Sequence, residues 1–163
     1  MSKSEASPPD EKPSKVDEPI TSPPSPDTSI SELTDFLIKI GHAGMKALNN
    51  RDWNGRDNDQ NLNAILSPEF RVYFGNNPEG LSVAENAKWM REFFLEKYPE
   101  HRVEVIQVTP EVFEKEGTAV VYVECDEHNA PPGVMTRVIY EFKWRKEEDG
   151  WRCFHMSSMR AFQ

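Results

Sequence analysis

The stretch that decides the fold is VMTRVIYEFKW (134–144), RKEEDG (145–150) and WRCFHMSSMRAF (151–162), two alternating runs joined by a polar turn. Apolar and polar side chains alternate with the period of two that a half-buried strand requires. A hairpin this long must belong to a larger sheet, and the preceding sequence supplies one. Arg102 to Val108 and Thr118 to Cys125 are rich in β-branched residues and are separated by a polar turn at Glu114 to Gly117. Phe70 to Phe74 reads as a short strand, and Pro131-Pro132-Gly133 marks the loop that leads into the hairpin.

Upstream the period changes. Ser29 or Ser31 caps a helix whose apolar face is Leu33, Phe36, Leu37, Ile40, Gly44, Ala47 and Leu48. A short helix is expected from about Asp59 to Leu66, stopped by Ser67-Pro68. Ser82 and Glu85 form a capping box that opens a third helix, with Val83, Ala87, Met90, Phe94 and Tyr98 inward and Pro99 at its end. The order is helix, helix, strand, helix, four strands. This is an α+β class, in which three helices from the N-terminal half cover one face of a mainly antiparallel sheet.

Residues 1–29 are set apart by composition. They hold seven of the 13 prolines (Pro8, Pro9, Pro13, Pro19, Pro23, Pro24, Pro26), contain no aromatic residue, and have only Val16 and Ile20 as branched aliphatics. Such a segment buries too little apolar surface to offset the entropy of ordering, and it is expected to be a disordered tail before a domain spanning 30–163. Ser7-Pro8, Ser22-Pro23 and Ser25-Pro26 fit proline-directed phosphorylation, and Pro23 to Pro26 a minimal PxxP, patterns that also arise by chance in such tails. The formal net charge of −9 opposes general binding to nucleic acid or anionic membrane, both of which depend on a basic surface. No apolar stretch approaches the roughly 18 residues of a membrane span, so an intracellular protein, cytoplasmic or nuclear, is expected. Cys125 and Cys153 lack metal-ligand spacing and read as free thiols; Asp126, Glu127 and His128 have no second histidine or cysteine to complete a site. No metal and no nucleotide cofactor is implied.

Taken together, the helix ending Asn50-Arg51-Asp52-Trp53, the phrase Leu66-Ser67-Pro68-Glu69-Phe70, the aromatic third helix and the ending Glu148-Asp149-Gly150-Trp151-Arg152-Cys153-Phe154-His155 carry a resemblance. The chain resembles the nuclear transport factor 2-like superfamily, and within it the SnoaL-like branch, over essentially all of 30–162. The resemblance implies a curved sheet wrapped around helices to form a cone with an internal pocket. It also implies a choice between cofactor-independent isomerase, cyclase or dehydratase chemistry and a non-catalytic dimeric adaptor. Ketosteroid isomerases share this layout, but the position of their first-helix tyrosine falls near Gly44. The position of their catalytic aspartate falls in 73–77, which contains no acid. Their second oxyanion-hole group aligns with Tyr140, which can still donate a hydrogen bond.

If the hairpin closes without a bulge, Trp144 faces Trp151, Phe142 faces Cys153, Tyr140 faces His155 and Val138 faces Ser157. Tyr140 and His155 would then point into the cone as acid and base, although a phenol and an imidazole can equally satisfy each other in a core without chemistry. Tyr73, Trp89, Phe94, Tyr98, Phe142 and Ser157 complete the expected lining for a small apolar carbonyl compound. Asn86 and Trp89 flank the inner face of the third helix, as packing or ligand contacts, and Glu124 and Asp126 sit near the rim. His42 lies opposite the apolar face of the first helix and reads as solvated. Gly41 and Gly44 each cost that helix about 1 kcal/mol relative to alanine, which points to a close approach of the sheet or to space for a ligand. On the outer side, Phe154, Met156 and Phe162 suggest a homodimer through the convex sheet face.

Overall fold

The computed structural model describes residues 18–160 other than Asn76. Helix α1 (Ile30–Asn49) is capped by Ser29, whose hydroxyl accepts from the Glu32 backbone N–H, and buries Leu33, Leu37, Ile40, Gly41 and Met45. Strand β1 (Leu66–Tyr73) follows two single helical turns, Asp57–Asp59 and Leu62–Ile65, which replace the continuous second helix expected there. Positive φ at Asn58 interrupts that helix, and Leu66 turns extended.

Helix α2 (Val83–Arg91) opens on the expected Ser82–Glu85 capping box and runs into a wider π-helical turn, Glu92–Lys97. Phe94 and Met90 face inward as expected, whereas Val83 is exposed and Asn86 is the buried residue of α2. Four long strands complete the chain: β2 (Arg102–Phe113), β3 (Thr118–His128), β4 (Met135–Glu147) and β5 (Gly150–Arg160). The sheet order is β1-β5-β4-β3-β2, with β1 parallel to β5 and all other pairs antiparallel. Helix α1 lies across the concave face against β2 and β3, and the core runs from Leu33 and Leu37 to Val121, Val123, Val138, Trp144 and Cys153. No described helix is long and apolar enough to cross a membrane.

The closing hairpin departs from the expected register. The strands extend to Glu147 and Gly150, leaving only Glu148 and Asp149 in the turn, so Trp144 faces Cys153 instead of Trp151. A bulge then follows, with Lys143 opposite His155 and Phe142 opposite Met156. Phe154 is the extra residue, and because side-chain direction alternates, one extra residue exchanges the faces of everything beyond it. Tyr140 faces Ser158, and His155 sits on the outer face beside Lys143. The Tyr140–His155 pair is not formed. For the same reason Met156 points inward, and the convex dimer surface drawn through Phe154, Met156 and Phe162 is lost: Phe154 is covered by the Arg145 guanidinium at 5.0 Å, and Phe162 lies outside the described residues.

The packed structure begins before Ile30. Ile20 is only 3% exposed, its carbonyl accepts from the Asn61 N–H, and the Pro24 carbonyl accepts from the Trp151 N–H at 2.9 Å. Gly150 makes that approach possible, since a Cβ there would lie 2.6 Å from the Pro24 oxygen. Of the tail expected to be without structure, residues 18–29 are therefore part of the fold.

Candidate functional site

The concave face of the sheet, the C-terminal end of α1 and the helix α2 enclose an open cavity of about 760 Å³. That volume lies within the usual range for small-molecule sites. Its floor comes from the inner face of the sheet: Glu127 on β3, Val138, Tyr140 and Phe142 on β4, and Met156, Ser158 and Arg160 on β5. One wall is α1 from Gly44 to Leu48 and the turn residues Asp52 and Trp53. The other is aromatic, with Phe74 stacked on Trp89 at 5.1 Å and Trp89 on Phe93 at 4.9 Å. Phe94 continues it and stacks on Trp53 across the cavity mouth at 5.9 Å.

The two helix glycines have different roles. A Cβ at Gly41 would lie 2.8 Å from Val108 Cγ1, so this glycine permits close approach of helix and sheet. A Cβ at Gly44 would meet nothing within 4 Å, and that glycine lines the cavity. The close approach of the sheet thus accounts for Gly41, while Gly44 borders open space.

The polar groups gather at one end of the floor. Tyr140 is 8% exposed, and its hydroxyl makes no hydrogen bond among the described residues. Burial, reinforced by Glu127 and Cys125 and partly offset by Arg160, pushes its phenol above the usual range, so Tyr140 remains a proton donor at ordinary pH. Glu127 is 4% exposed; its Oε1 accepts from His101 Nε2–H at 2.8 Å, and its Oε2 lies 3.4 Å from the Arg160 guanidinium, an ion-pair distance. His101 is buried between rings, 4.2 Å from Phe94 by centroid. It is fixed from the turn after α1: the Arg51 guanidinium donates to the carbonyls of Pro99 and His101 and lies over the Phe94 ring. The Asn50-Arg51-Asp52-Trp53 phrase thus anchors the turn that carries His101, while Asp52 accepts from the N–H groups of Arg56 and Asp57.

Of the residues singled out from sequence, Tyr140, Trp89, Phe94 and Phe142 line the cavity. Tyr73, His155 and Ser157 do not. Tyr73 precedes the inward Phe74, points the other way, and stacks on His155 at 4.7 Å outside the cone. Burial and neighbouring Lys143 lower the His155 pKa, with Glu141 opposing. Ser157 lies outward opposite Glu141, and Tyr98 packs edge-on against Phe93 outside the lining. The rim acids Glu124 and Asp126 are both engaged by Arg137 on the outer face. Their neighbour Glu127 is the inward acid. It continues the buried alternation Ala119, Val121, Val123, Cys125, a signal present in the sequence but cut short by ending the strand at Cys125. His101, just after the helix-terminating Pro99, had no such periodic marker.

No family model matches the sequence, and no curated protein matches it. Solved structures do match in fold. A nuclear transport factor 2-like protein of unknown function from Pseudomonas putida superposes with a TM-score of 0.63 at 11% identity, covering 83% of this chain and 92% of that one. A ketosteroid isomerase-like protein from Erwinia carotovora gives 0.56 at 16% identity, covering 82% and 100%. The CaMKII hub of S. rosetta gives 0.55 at 17%, covering 78% and 96%. The chain therefore has the α+β cone fold of the nuclear transport factor 2-like superfamily.

Proposed function

We propose that this chain is a small-molecule pocket protein of SnoaL-like type that takes an apolar carbonyl compound into the cone, with Tyr140 donating a hydrogen bond to the carbonyl oxygen. The observation that carries this reading is an open, largely apolar cavity into which a phenol points without a protein partner. A core filled by Trp89, Phe94 and Phe142 would have left no such space. An unpaired polar group in apolar surroundings forgoes roughly 1–3 kcal/mol, which a ligand acceptor recovers.

Glu127 replaces His155 as the base. It lies on the same floor, its carboxylate is oriented by His101, and its other oxygen lies 3.4 Å from the Arg160 guanidinium. A donor at the carbonyl oxygen and a carboxylate near the adjacent carbon are the two requirements for proton transfer α to a carbonyl. Trp53 and Trp89 line the cavity, so binding of cyclic ketones is expected to quench tryptophan fluorescence saturably, with Tyr140→Phe weakening it about tenfold. In D₂O, catalysed deuterium incorporation beside the carbonyl should disappear in Glu127→Gln. Binding without any exchange in the wild type would refute the base and leave a binding protein. Absence of saturable binding by any ketone would sink the reading as a whole.

A further inference from the structure

We infer that Asn86 is a ligand-contacting, specificity-determining residue, and that the ligand therefore carries a hydroxyl or N–H donor besides its carbonyl. This rests on the cavity reading above. Asn86 is only 9% exposed, lies on the cavity side of α2 and forms part of the lining. Among the described residues its Oδ1 has no hydrogen-bond partner, and its Nδ2 has only the Met90 sulfur at 3.8 Å. Because a thioether can only accept, the amide nitrogen faces Met90 and the oxygen is left as a bare acceptor.

A structural asparagine in this protein looks different. Asn49 donates to the Val103 carbonyl at 2.7 Å and accepts from the Val103 N–H at 2.8 Å, so that both ends of its amide are used. Asn86 shares the inward face of α2 with Met90, where an apolar side chain would bury surface without stranding a polar atom. Of the other buried side-chain atoms without a hydrogen-bond partner among the described residues, those of Asn61, His101, Trp144 and Trp151 belong to residues outside the cavity lining, and Glu127 Oε2, within it, has the Arg160 guanidinium at 3.4 Å. Asn86 is therefore the lining residue whose unpartnered atom has neither a hydrogen bond nor an ion pair among the described residues. A ligand hydroxyl donating to Oδ1 from the helix side, with a carbonyl at Tyr140 on the sheet side, spans the cavity between its two polar points. The stacked rings of Phe74, Trp89 and Phe93 suit a flat body between them. The ligand class is an apolar hydroxy-carbonyl compound.

The test uses the full chain and a matched set of probes, namely flavanone, its monohydroxy isomers and their methyl ethers, titrated by calorimetry. The wild type should bind at least one hydroxyflavanone about tenfold more tightly than its methyl ether, which cannot donate. Asn86→Leu should reduce that ratio to about one, and Asn86→Asp, which keeps an acceptor oxygen, should retain it. Asn86→Leu should also melt no lower than wild type, because it removes a stranded polar atom, whereas a structural asparagine would be missed. A preference that survives in Asn86→Leu overturns the assignment, as does equal affinity of wild type for hydroxylated and methylated probes. If no flavanone and no simpler cyclic ketone binds, it is the cavity reading itself that fails, and the inference with it.

Discussion

Two glycines three residues apart on α1 should respond with opposite signs to the same substitution. Alanine is favoured over glycine in a helix interior by about 1 kcal/mol, and this gain applies at both positions. At Gly44 nothing opposes it, because a Cβ there enters open space. Gly44→Ala is expected to stabilise by about 1 kcal/mol, or roughly 3 °C in Tm for a domain of this size. At Gly41 the Cβ would stand 2.8 Å from Val108 Cγ1 and 3.3 Å from Cγ2, with Val123 Cγ2 at 3.4 Å. Valine is stiff about χ1 and cannot swing a single methyl aside, so helix and sheet must separate. Overpacking of this kind costs about 1–3 kcal/mol, which outweighs the helical gain and leaves a net loss of about 1 kcal/mol. Thermal melts of the two variants should therefore differ by about 6 °C, with wild type between them. Extending position 44 to leucine should push the side chain into the cavity and weaken ketone binding without lowering Tm. Shifts of the same sign and size at 41 and 44 would refute the assignment of one glycine to packing and the other to the ligand space.

Two further outcomes follow from burial. Desolvation pushes the Cys125 thiol up to about 12, with Asp126, Glu127 and Glu124 adding to it, and pushes Cys153 up to about 12. Each thiol holds its proton more tightly folded than unfolded, where the value is about 8.5, so the stability this contributes is complete below about pH 8.5 and declines as pH rises toward 12. Urea unfolding between about pH 9 and pH 11 should show an extra slope of roughly 1.4 kcal/mol per pH unit for each thiol, absent from a Cys125→Ala/Cys153→Ala double variant; equal slopes in the two proteins would contradict it. Ile20→Ala should lower stability by about 2–4 kcal/mol in the same assay, since Ile20 joins the core cluster, and an unchanged midpoint would show that the 18–29 segment does not hold the fold.

The hairpin at the end of the chain shows what a sequence pattern can and cannot carry. Alternation identified β4 and β5, and the order of elements led to the α+β class, because period and order are properties of the chain itself, while the cone was implied by the family resemblance. Register is different, since it depends on where an extra residue is accommodated. Here that residue is Phe154, which leaves the ladder under the Arg145 guanidinium. Nothing in the local pattern distinguishes Cys153-Phe154-His155 from continuous alternation; the two-residue turn moves the register by two and the bulge by one more, so Tyr140 meets Ser158 and His155 lies on the opposite face. The inward acid Glu127 was legible from the alternation of β3. His101 was not, because it is placed by Arg51 from 50 residues away in sequence.

The bulge also explains why the site has the composition it does. With Phe154 removed from the alternation, Met156, Ser158 and Arg160 turn inward beside Phe142, Tyr140 and Val138. An arginine at the inner edge of a mostly apolar cavity needs a counter-charge, and Glu127 supplies it from β3. Glu127 in turn is oriented by His101 from the start of β2. Had the strands paired without a bulge, Arg160 would lie outside, Glu127 would face the cavity without its cation, and His155 would stand where Met156 is. The inward acid and phenol follow from the unbroken β3–β4 register, and the cation that pairs with the acid follows from a single unpaired residue in β5. The chemistry of this cone is decided by strand register more than by the presence of any one titratable side chain.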